Sequence, residues 1–211
     1  MNDVVKSGTT TIGLICKDGV VLATDKRATT GYLVADKNIR KIYNLTDSIA
    51  VTMAGTVSDA QLLLRYTKAE LNLKNIRTEQ EISVKEAANL IARMVYSNVR
   101  SFSAIPGLSQ FIMGGKDKEG FHLFDIYPDG TVTECEDYVC SGSGSVVAYG
   151  VLETLYKQNM SVEEGVKLAV KVLNAALQRD IASGSGIDIV TITKEGFKRV
   201  LEKEINTKFD F

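Results

Sequence analysis

The first residues of chemical interest lie near the start of the chain, in segment 8–13 (GTTTIG). A threonine hydroxyl is a weak nucleophile and needs a base to take its proton. An α-amino group has a reference pKa of about 7.7–8.0, so a threonine that begins a chain carries its own base. Taken alone, the segment is more typical of the polar edge of a β-strand, because threonine favours strands.

Three further segments place charged residues or a glycine at the ends of predicted strands. In segment 23–28 a mostly apolar strand ends at Asp25 and is followed by two cations. Segment 38–43 brings Lys41 into a second strand, and segment 52–56 ends a third at Gly55, just before a helix. Taken alone, Asp25 and Lys41 are interpretable either as catalytic groups or as a structural ion pair.

Glycine-rich segments and the single histidine offer weaker candidates for chemistry. Residues 142–145 (GSGS) resemble part of a phosphate loop, but the Gly-Lys-Ser/Thr ending of that motif does not follow. His122 is the only histidine, so it cannot build a multi-histidine metal site, and no GxSxG elbow accompanies it. We interpret His122 as a partly buried strand residue and expect no metal site.

Composition argues against several classes of protein, among them nucleic-acid binders, secreted proteins and membrane-spanning proteins. The 211 residues suit one globular domain, and a net charge of -1 argues against an electrostatic nucleic-acid binder. Cys16, Cys135 and Cys140 lack paired CxxC spacing, so we interpret them as reduced thiols, which fits a cytoplasmic chain. We find neither a secretory signal in the short polar segment 1–8 nor an apolar run of about 20 residues that would span a membrane.

Hydrophobic periodicity predicts strands, two helices, strands, two helices and strands, in that order. Two helices begin with capping boxes, Ser83 with Glu86 and Ser161 with Glu164. Strands are predicted over 10–16, 20–25, 42–43, 48–54, 110–114, 121–127, 131–138, 187–193 and 197–201, and helices over 58–73, 83–99, 146–158 and 161–180. This order favours an α+β fold, a four-layer α-β-β-α sandwich of two stacked antiparallel sheets flanked by helices.

The turn after the first strand has two possible lengths. If only residues 18–19 form the loop, Thr9 and Asp25 point to opposite faces of the sheet. If residues 17–19 form it, with Gly19 in a left-handed bulge, Thr11 lies opposite Asp25 and Thr9 lies diagonally beside it on the same face. The sequence permits both, and a shared site requires the three-residue loop.

Several motifs in order along the chain resemble those of β subunits of the proteasome core particle, of the archaeal type, within the N-terminal-nucleophile hydrolases. They are the threonine start, Asp-Lys-Arg-Ala at 25–28, Arg-Lys-Ile-Tyr at 40–43, Met-Ala-Gly-x-x-x-Asp-Ala-Gln at 53–61, and segments 141–150 and 178–184. The resemblance runs from Gly8 to about Thr193 and so covers nearly the whole chain. Independent motifs at compatible spacings make it specific.

The resemblance implies a threonine endopeptidase, made as a zymogen, that cleaves its own Gly8-Thr9 bond. Residues 1–8 would be a propeptide, and residues 9–211 one hydrolase domain. Thr9 would be the nucleophile and its freed α-amine the base. By match to the family, Lys41 is the active-site lysine, Asp25 its acidic partner, Gly55 the oxyanion donor through its N–H, and Ser143, Asp180 and Ser183 a supporting cluster around the amine.

The positions that match the family's primary substrate pocket carry no acid or strong base, and most of them are apolar. They are Ala28, Thr29, Ile39, Tyr43, Met53 and Val57. Since methionine adapts its shape, Met53 suits a pocket floor. We therefore predict cleavage after large apolar residues.

The implied partners are identical β subunits in a heptameric ring, α-subunit rings, a regulatory unfolding ATPase and unfolded protein substrates, with no nucleic acid, membrane or cofactor. A competing interpretation is a non-catalytic β subunit of the same ring, although such subunits usually lack the threonine or the lysine. Three further classes fit the sequence less well: the bacterial two-component relative of this protease, an amidase with an N-terminal nucleophile, and a nucleotide-binding module.

Overall fold

The computed structural model describes residues 8–103 and 107–205. Of the predicted propeptide only Gly8 lies within these ranges. The elements are β1 (Thr11–Cys16), β2 (Gly19–Asp25), β3 (Ala28–Thr30), β4 (Leu33–Asp36), β5 (Ile42–Asn44), β6 (Ile49–Gly55), α1 (Val57–Thr78), α2 (Val84–Val99), β7 (Ser109–Lys116), β8 (Phe121–Ile126), β9 (Val132–Glu134), β10 (Tyr138–Ser141), α3 (Ser145–Leu155), α4 (Val162–Arg179), β11 (Gly186–Thr193) and β12 (Gly196–Glu204).

Two five-stranded antiparallel sheets form the centre of the molecule. The first sheet has the order β10-β1-β2-β11-β12, and the second has the order β5-β6-β7-β8-β9. Successive side chains of each strand point to opposite faces of the sheet. One face packs on helices, and the other packs on the opposite sheet. Strands β3 and β4 form a separate two-stranded hairpin.

Three apolar clusters divide the core into layers. One joins the second sheet to α1 and α2 through residues such as Phe111 and Ile91. Another joins the first sheet to α3 and α4. The third fills the space between the sheets, where Leu22 meets Ile112. The predicted α-β-β-α sandwich is therefore confirmed.

Both predicted capping boxes begin helices as expected. Ser83 accepts a hydrogen bond from the Glu86 N–H at the start of α2, and Ser161 accepts one from the Glu164 N–H at the start of α4. In each box the glutamate carboxylate accepts the N–H of the serine in return. Helix α3 ends earlier than predicted, because Tyr156 leaves helical geometry and donates its hydroxyl to the Ile15 carbonyl at 3.0 Å.

The prediction of one strand over residues 131–138 is wrong. Strand β9 pairs with β8 in the second sheet, whereas β10 pairs with β1 in the first. The segment between them carries Glu136 and Asp137, and the chain crosses there from one sheet to the other. The hairpin of β3 and β4 was not predicted; most of its residues are exposed, so they lack the apolar alternation on which the prediction relied.

The expected requirement for a three-residue loop between the first two strands is also wrong. Cys16 pairs with Gly19, so the loop is Lys17 and Asp18. Gly19 is a strand residue: a Cβ on it would lie 2.5 Å from the Ile192 carbonyl oxygen of the neighbouring strand. The Asp18 carboxylate accepts the Val162 N–H at 2.8 Å, which ties this turn to the start of α4.

The observed register places Thr24 opposite Thr11, so Asp25 is level with Thr10 rather than Thr11. The Asp25 N–H donates to the Thr10 carbonyl at 3.2 Å. Thr9 lies one residue outside this pair, before the regular ladder begins. It can therefore approach the Asp25 side chain without sharing a sheet face with it.

The helices within residues 8–103 and 107–205 include none that is long and apolar enough to cross a membrane.

Candidate active site

Thr9 lies just before β1 and is 6% exposed. Its hydroxyl donates to the Gly8 carbonyl oxygen at 2.7 Å and accepts a hydrogen bond from Lys41 Nζ at 3.0 Å. A nucleophile, the peptide bond that precedes it and a cation thus meet in one buried place.

Lys41 and Asp25 form a buried ion pair, with side chains that are 3% and 0% exposed and a distance of 2.7 Å between Nζ and Oδ1. The Asp25 carboxylate also accepts three backbone N–H groups at 3.0 Å, from Thr10 on Oδ1 and from Arg27 and Gly184 on Oδ2. Four donors therefore fix the carboxylate, and the carboxylate fixes the lysine.

Burial lowers the pKa of Lys41 from its usual value of 10.5, and the charge and hydrogen bond of Asp25 oppose this effect only in part. The charge of Asp180 also raises the pKa of Lys41, so this second carboxylate lies within electrostatic reach of the lysine. A lysine with a lowered pKa can exchange a proton with its neighbour more readily than a solvated one.

Ser143, Asp180 and Ser183 form a connected network on the other side of Thr9. Both serine hydroxyls donate to Asp180 Oδ2 at 2.6 Å. Ser143 Oγ accepts the Thr9 N–H at 3.2 Å, and Ser183 Oγ contacts Thr10 Oγ1 at 2.7 Å. The predicted supporting residues therefore form one network that contacts the nitrogen of Thr9.

Glycines allow this loop to approach the chain so closely. A Cβ on Gly142, whose φ is +88°, would lie 2.0 Å from the Thr9 carbonyl oxygen. A Cβ on Gly144 would lie 1.9 Å from Thr10 Oγ1. Gly8 is equally crowded, because its added Cβ would meet the Cβ of Ala182 at 1.7 Å. A larger residue at any of these three positions would push apart the segments that form the site.

Gly55 ends β6 with a φ of +102°, and a Cβ there would lie 2.1 Å from the Leu108 carbonyl oxygen. The next residue, Thr56, donates its N–H to the same carbonyl at 2.8 Å and precedes α1. Glycine is therefore required at this turn on two grounds, backbone conformation and space. Its assignment as oxyanion donor stays a prediction.

The predicted pocket residues come from three separate segments. Ile39, Tyr43 and Val57 are half-buried and pack on the cluster that contains Met53. Thr29 in β3 is buried, and its hydroxyl accepts the Gly8 N–H at 3.1 Å. Ala28 precedes it in the same strand.

Three residues near the site were not predicted. Thr10 and Gly184 supply backbone donors to Asp25, as does Arg27. The Arg27 guanidinium also donates to the Ile181 carbonyl at 3.0 Å, which links the segment after β2 to the loop after α4. The motif Asp-Lys-Arg-Ala contained Arg27, but only its three-dimensional contacts indicate this bridge.

His122 is a half-buried residue of β8, as predicted, and its ring contacts Asp117 and Glu134 rather than the residues around Thr9. Cys16, Cys135 and Cys140 are free thiols. In the described part of the chain, we find no group of three or more His, Cys, Asp or Glu residues arranged to hold a metal ion.

Comparison with known proteins gives a consistent result. The family model described as "Proteasome subunit" matches residues 5–192. A "Proteasome subunit beta" of Ferroglobus placidus is 48% identical over 205 residues, which cover 97% of this chain and 96% of the relative. Similar proteins of the same description are 50% identical in Methanocaldococcus fervens, over 96% of this chain and 89% of the relative, and 48% identical in Methanocaldococcus jannaschii, over 99% and 91%.

Proposed function

The chain belongs to the proteasome subunit family, and on that premise we propose that it is a catalytic β subunit, a threonine endopeptidase that releases its own N-terminal nucleophile. One observation carries this proposal. The Thr9 hydroxyl lies 2.7 Å from the Gly8 carbonyl oxygen and 3.0 Å from Lys41 Nζ, and Asp25 holds that lysine at 2.7 Å.

The first reaction is self-cleavage. Thr9 Oγ1 bonds to the Gly8 carbonyl carbon, the Gly8-Thr9 C–N bond breaks, and the hydroxyl proton passes to the leaving nitrogen. Water then hydrolyses the resulting ester and frees the Gly8 carboxylate, the Thr9 hydroxyl and the Thr9 α-amine. Before cleavage the Thr9 nitrogen is an amide and cannot act as base. The lowered pKa of Lys41 favours its neutral amine, which receives the hydroxyl proton and passes it to the leaving nitrogen.

The second reaction is peptide hydrolysis by the freed residue. The α-amine accepts the proton of its own hydroxyl because its reference pKa is about 7.7–8.0. Contacts of the Thr9 nitrogen with Ser143, and of Ser143 with Asp180, support a role for this network in orienting the amine. Lys41 stabilises the deprotonated hydroxyl by its charge.

Gly55 N–H is the proposed oxyanion donor, and removal of such a donor costs about 3–4 kcal/mol of transition-state stabilisation. The proposed substrates are peptides with a large apolar residue before the cut. The packing of Ile39, Tyr43 and Val57 on the cluster that contains Met53 supports this preference. Residues 1–8 form the propeptide in this proposal, and residues 9–211 form one hydrolase domain.

The same proposal includes assembly in the cytoplasm with other β subunits in a heptameric ring, with α-subunit rings and with an unfolding ATPase that delivers unfolded proteins. Large apolar side chains on the surface support partner contacts, among them Ile76 on α1 at 75% exposure and Val146 on α3 at 80%.

The test is to produce the full chain together with its α subunit and read its N-terminus by mass spectrometry. We expect a chain that begins at Thr9 and hydrolyses a fluorogenic peptide with an apolar residue before the cut. Thr9→Ala should retain residues 1–8 and lose peptidase activity, whereas the matched variant Thr9→Ser should retain both reactions at a reduced rate.

Assembled parent particles that keep residues 1–8 and lack peptidase activity would instead favour a non-catalytic subunit. Processing or turnover by the Thr9→Ala particle would exclude Thr9 as the nucleophile.

A further inference from the structure

Lys26 is buried although it follows the catalytic Asp25 directly and takes no part in the mechanism above. Its side chain is 1% exposed, and it is among the largest fully buried side chains of the protein. Its ammonium lies 2.9 Å from Glu202 Oε1 and 3.8 Å from Glu204 Oε1, both on β12.

A buried ammonium is costly unless carboxylates compensate it, so this arrangement is not expected for a residue that only fills space. A methionine or leucine would fill the same volume without a desolvation cost. The hydrogen bond from Lys26 lowers the pKa of Glu202, which keeps the partner ionised. The pair therefore holds the end of β12 firmly against the chain that follows β2.

The backbone of Lys26 connects two segments of the site. Its N–H donates to the Gly184 carbonyl at 3.2 Å, next to Ser183. Its carbonyl accepts the Ile39 N–H at 3.1 Å, and Ile39 packs on the apolar cluster that contains Met53. Lys26 thus lies between the network near Thr9 and the wall of the predicted pocket.

Asn38, which precedes Ile39 in the chain, attaches the segment that carries Ile39 at a second point. Its side-chain amide donates to Glu204 Oε1, so one carboxylate contacts both Lys26 and Asn38. Residues 37–41 belong to no helix or strand. Their other contacts lie on either side of Ile39: the Asn38 N–H donates to Asp36 Oδ1, the Arg40 carbonyl accepts the Tyr43 hydroxyl, and Lys41 contacts Asp25 through its side chain and Met53 through its carbonyl. The backbone hydrogen bond of Ile39 itself goes to Lys26, and the side chain of the preceding residue is bound by an acid of β12.

We propose that Lys26, Glu202 and Glu204 form a positioning network that fixes Ile39 as one wall of the substrate pocket and thereby sets the preference for large apolar residues. This inference rests on the proposed peptidase function. Lys26 touches no reacting atom, so it is a positioning residue and not a catalytic one.

The network should affect substrate selection more than self-cleavage. A peptide with a large apolar residue before the cut needs a well-formed pocket, whereas alanine makes few contacts there. Self-cleavage places Gly8 before the cut, and glycine has no side chain to enter a pocket. Lys41 keeps its own contacts with Asp25 and β6 when the network is removed.

The experiment compares kcat and KM for two fluorogenic peptides, one with leucine and one with alanine before the cut, in particles of full-length chain and α subunit. The variants are Lys26→Met, which removes the ammonium but keeps the stem, and Asn38→Ala and Glu204→Gln, which change exposed residues. Lys203→Met, an exposed substitution on the same strand, is the control. The N-terminus is read by mass spectrometry in each.

We expect the leucine-to-alanine ratio of kcat/KM to fall about three- to tenfold in Lys26→Met, Asn38→Ala and Glu204→Gln, mainly through KM for the leucine peptide. The effect should be smaller than the roughly 10- to 200-fold that a change in an apolar pocket contact can cost, because Ile39 is displaced and not removed. Processing at Thr9 and the ratio for Lys203→Met should match the parent. If Lys26→Met does not assemble, the two surface variants decide.

An unchanged ratio in Asn38→Ala and Glu204→Gln, or an equal loss for both peptides, would overturn the positioning role while leaving the peptidase assignment intact. An inactive, unprocessed parent would instead refute the proposed function itself.

Discussion

At the scale of single residues, Asp25 determines the geometry of the site. It is fully buried and accepts four hydrogen bonds, of which three come from backbone N–H groups of different segments. Removal of Lys41 would leave these three in place, so the carboxylate would keep its position. Lys41 can therefore be replaced to test its chemistry without losing the frame that holds it.

Two substitutions of Lys41 distinguish the effect of its positive charge from its ability to exchange a proton. Lys41→Met should lower kcat by about 10²- to 10⁴-fold, the range expected when a proton-transfer group is lost. Lys41→Arg keeps a cation, but guanidinium does not deprotonate in proteins, so it should also lose self-cleavage. Steady-state kinetics and mass spectrometry of the N-terminus measure the two effects.

A folded Lys41→Arg particle that processes itself at the parent rate would show that only the positive charge matters. Near-normal turnover in a folded Lys41→Met particle would reduce Lys41 to a structural partner of Asp25. Breaking a buried pair destabilises proteins by about 3–5 kcal/mol, so circular dichroism should accompany both variants.

At the scale of elements, the loop between β10 and α3 leaves no room for side chains at its glycines. Gly142→Ala places a methyl group 2.0 Å from the Thr9 carbonyl oxygen at a residue whose φ is +88°. Backbone strain of this kind costs about 1–3 kcal/mol, and relief of the clash must move Thr9 away from Ser143. We expect lower stability, measured by urea unfolding, together with slow or absent processing.

Gly150→Ala is the matched control within the next helix. Gly150 lies inside α3, and a Cβ there meets nothing within 4 Å. Since alanine is favoured over glycine in a helix interior by about 1 kcal/mol, this variant should be more stable and fully processed. Equal behaviour of the two variants would show that Gly142 is not required for the close approach to Thr9.

Elements with strong local signals were predictable from sequence, and those fixed by tertiary pairing were not. The capping boxes at Ser83 and Ser161 correctly marked two helix starts. The division of residues 131–138 between β9 and β10 depends on which sheet each half joins, and periodicity carries no such information. The loop at Lys17 and Asp18 was likewise determined by β11 and α4.

At the scale of the whole molecule, the site joins residues that are far apart in the chain. The Thr9 nitrogen contacts Ser143, 134 positions away, and the carboxylate of Asp25 accepts the N–H of Gly184, 159 positions away. Spacing alone cannot reveal such contacts. Family resemblance indicated Ser143 as a site residue, whereas the contact of Gly184 with Asp25 was not predicted. Arg27, which donates its N–H to Asp25 and its guanidinium to the Ile181 carbonyl, was present in the sequence only as part of the motif Asp-Lys-Arg-Ala.

The second sheet carries a pH-sensitive contact that should be visible in the stability of the whole protein. His122 on β8 lies 3.1 Å from Asp117 Oδ1 and 2.9 Å from Glu134 Oε1. Burial opposes the charged ring, but the Glu134 hydrogen bond and the Asp117 charge outweigh it and raise the pKa of His122. Asp117 also accepts the Val84 N–H at 2.9 Å, so this contact links the sheet to the start of α2.

The direction of the pH effect follows from linkage. A histidine whose pKa is raised on folding stabilises the protein fully below its unfolded pKa of about 6.5, and this contribution is lost as pH rises through the folded value. Desolvation opposes ionisation of Asp117, yet its backbone donors and His122 lower the pKa of Asp117, so its contribution is lost only in acid. His122 and Asp117 therefore both stabilise the folded protein through this contact between about pH 5 and 6.5.

His122→Gln should consequently destabilise the full-length chain on the order of 1 kcal/mol near pH 6, after screening of this partly exposed group. The difference from the parent should shrink as pH rises above the folded pKa of His122. Urea unfolding at pH 5.5, 6.5 and 8.5 measures it, with Lys167→Gln in the exposed pair with Glu163 as control. A difference that stays constant across these values would show that His122 stabilises the sheet by packing, without its charge.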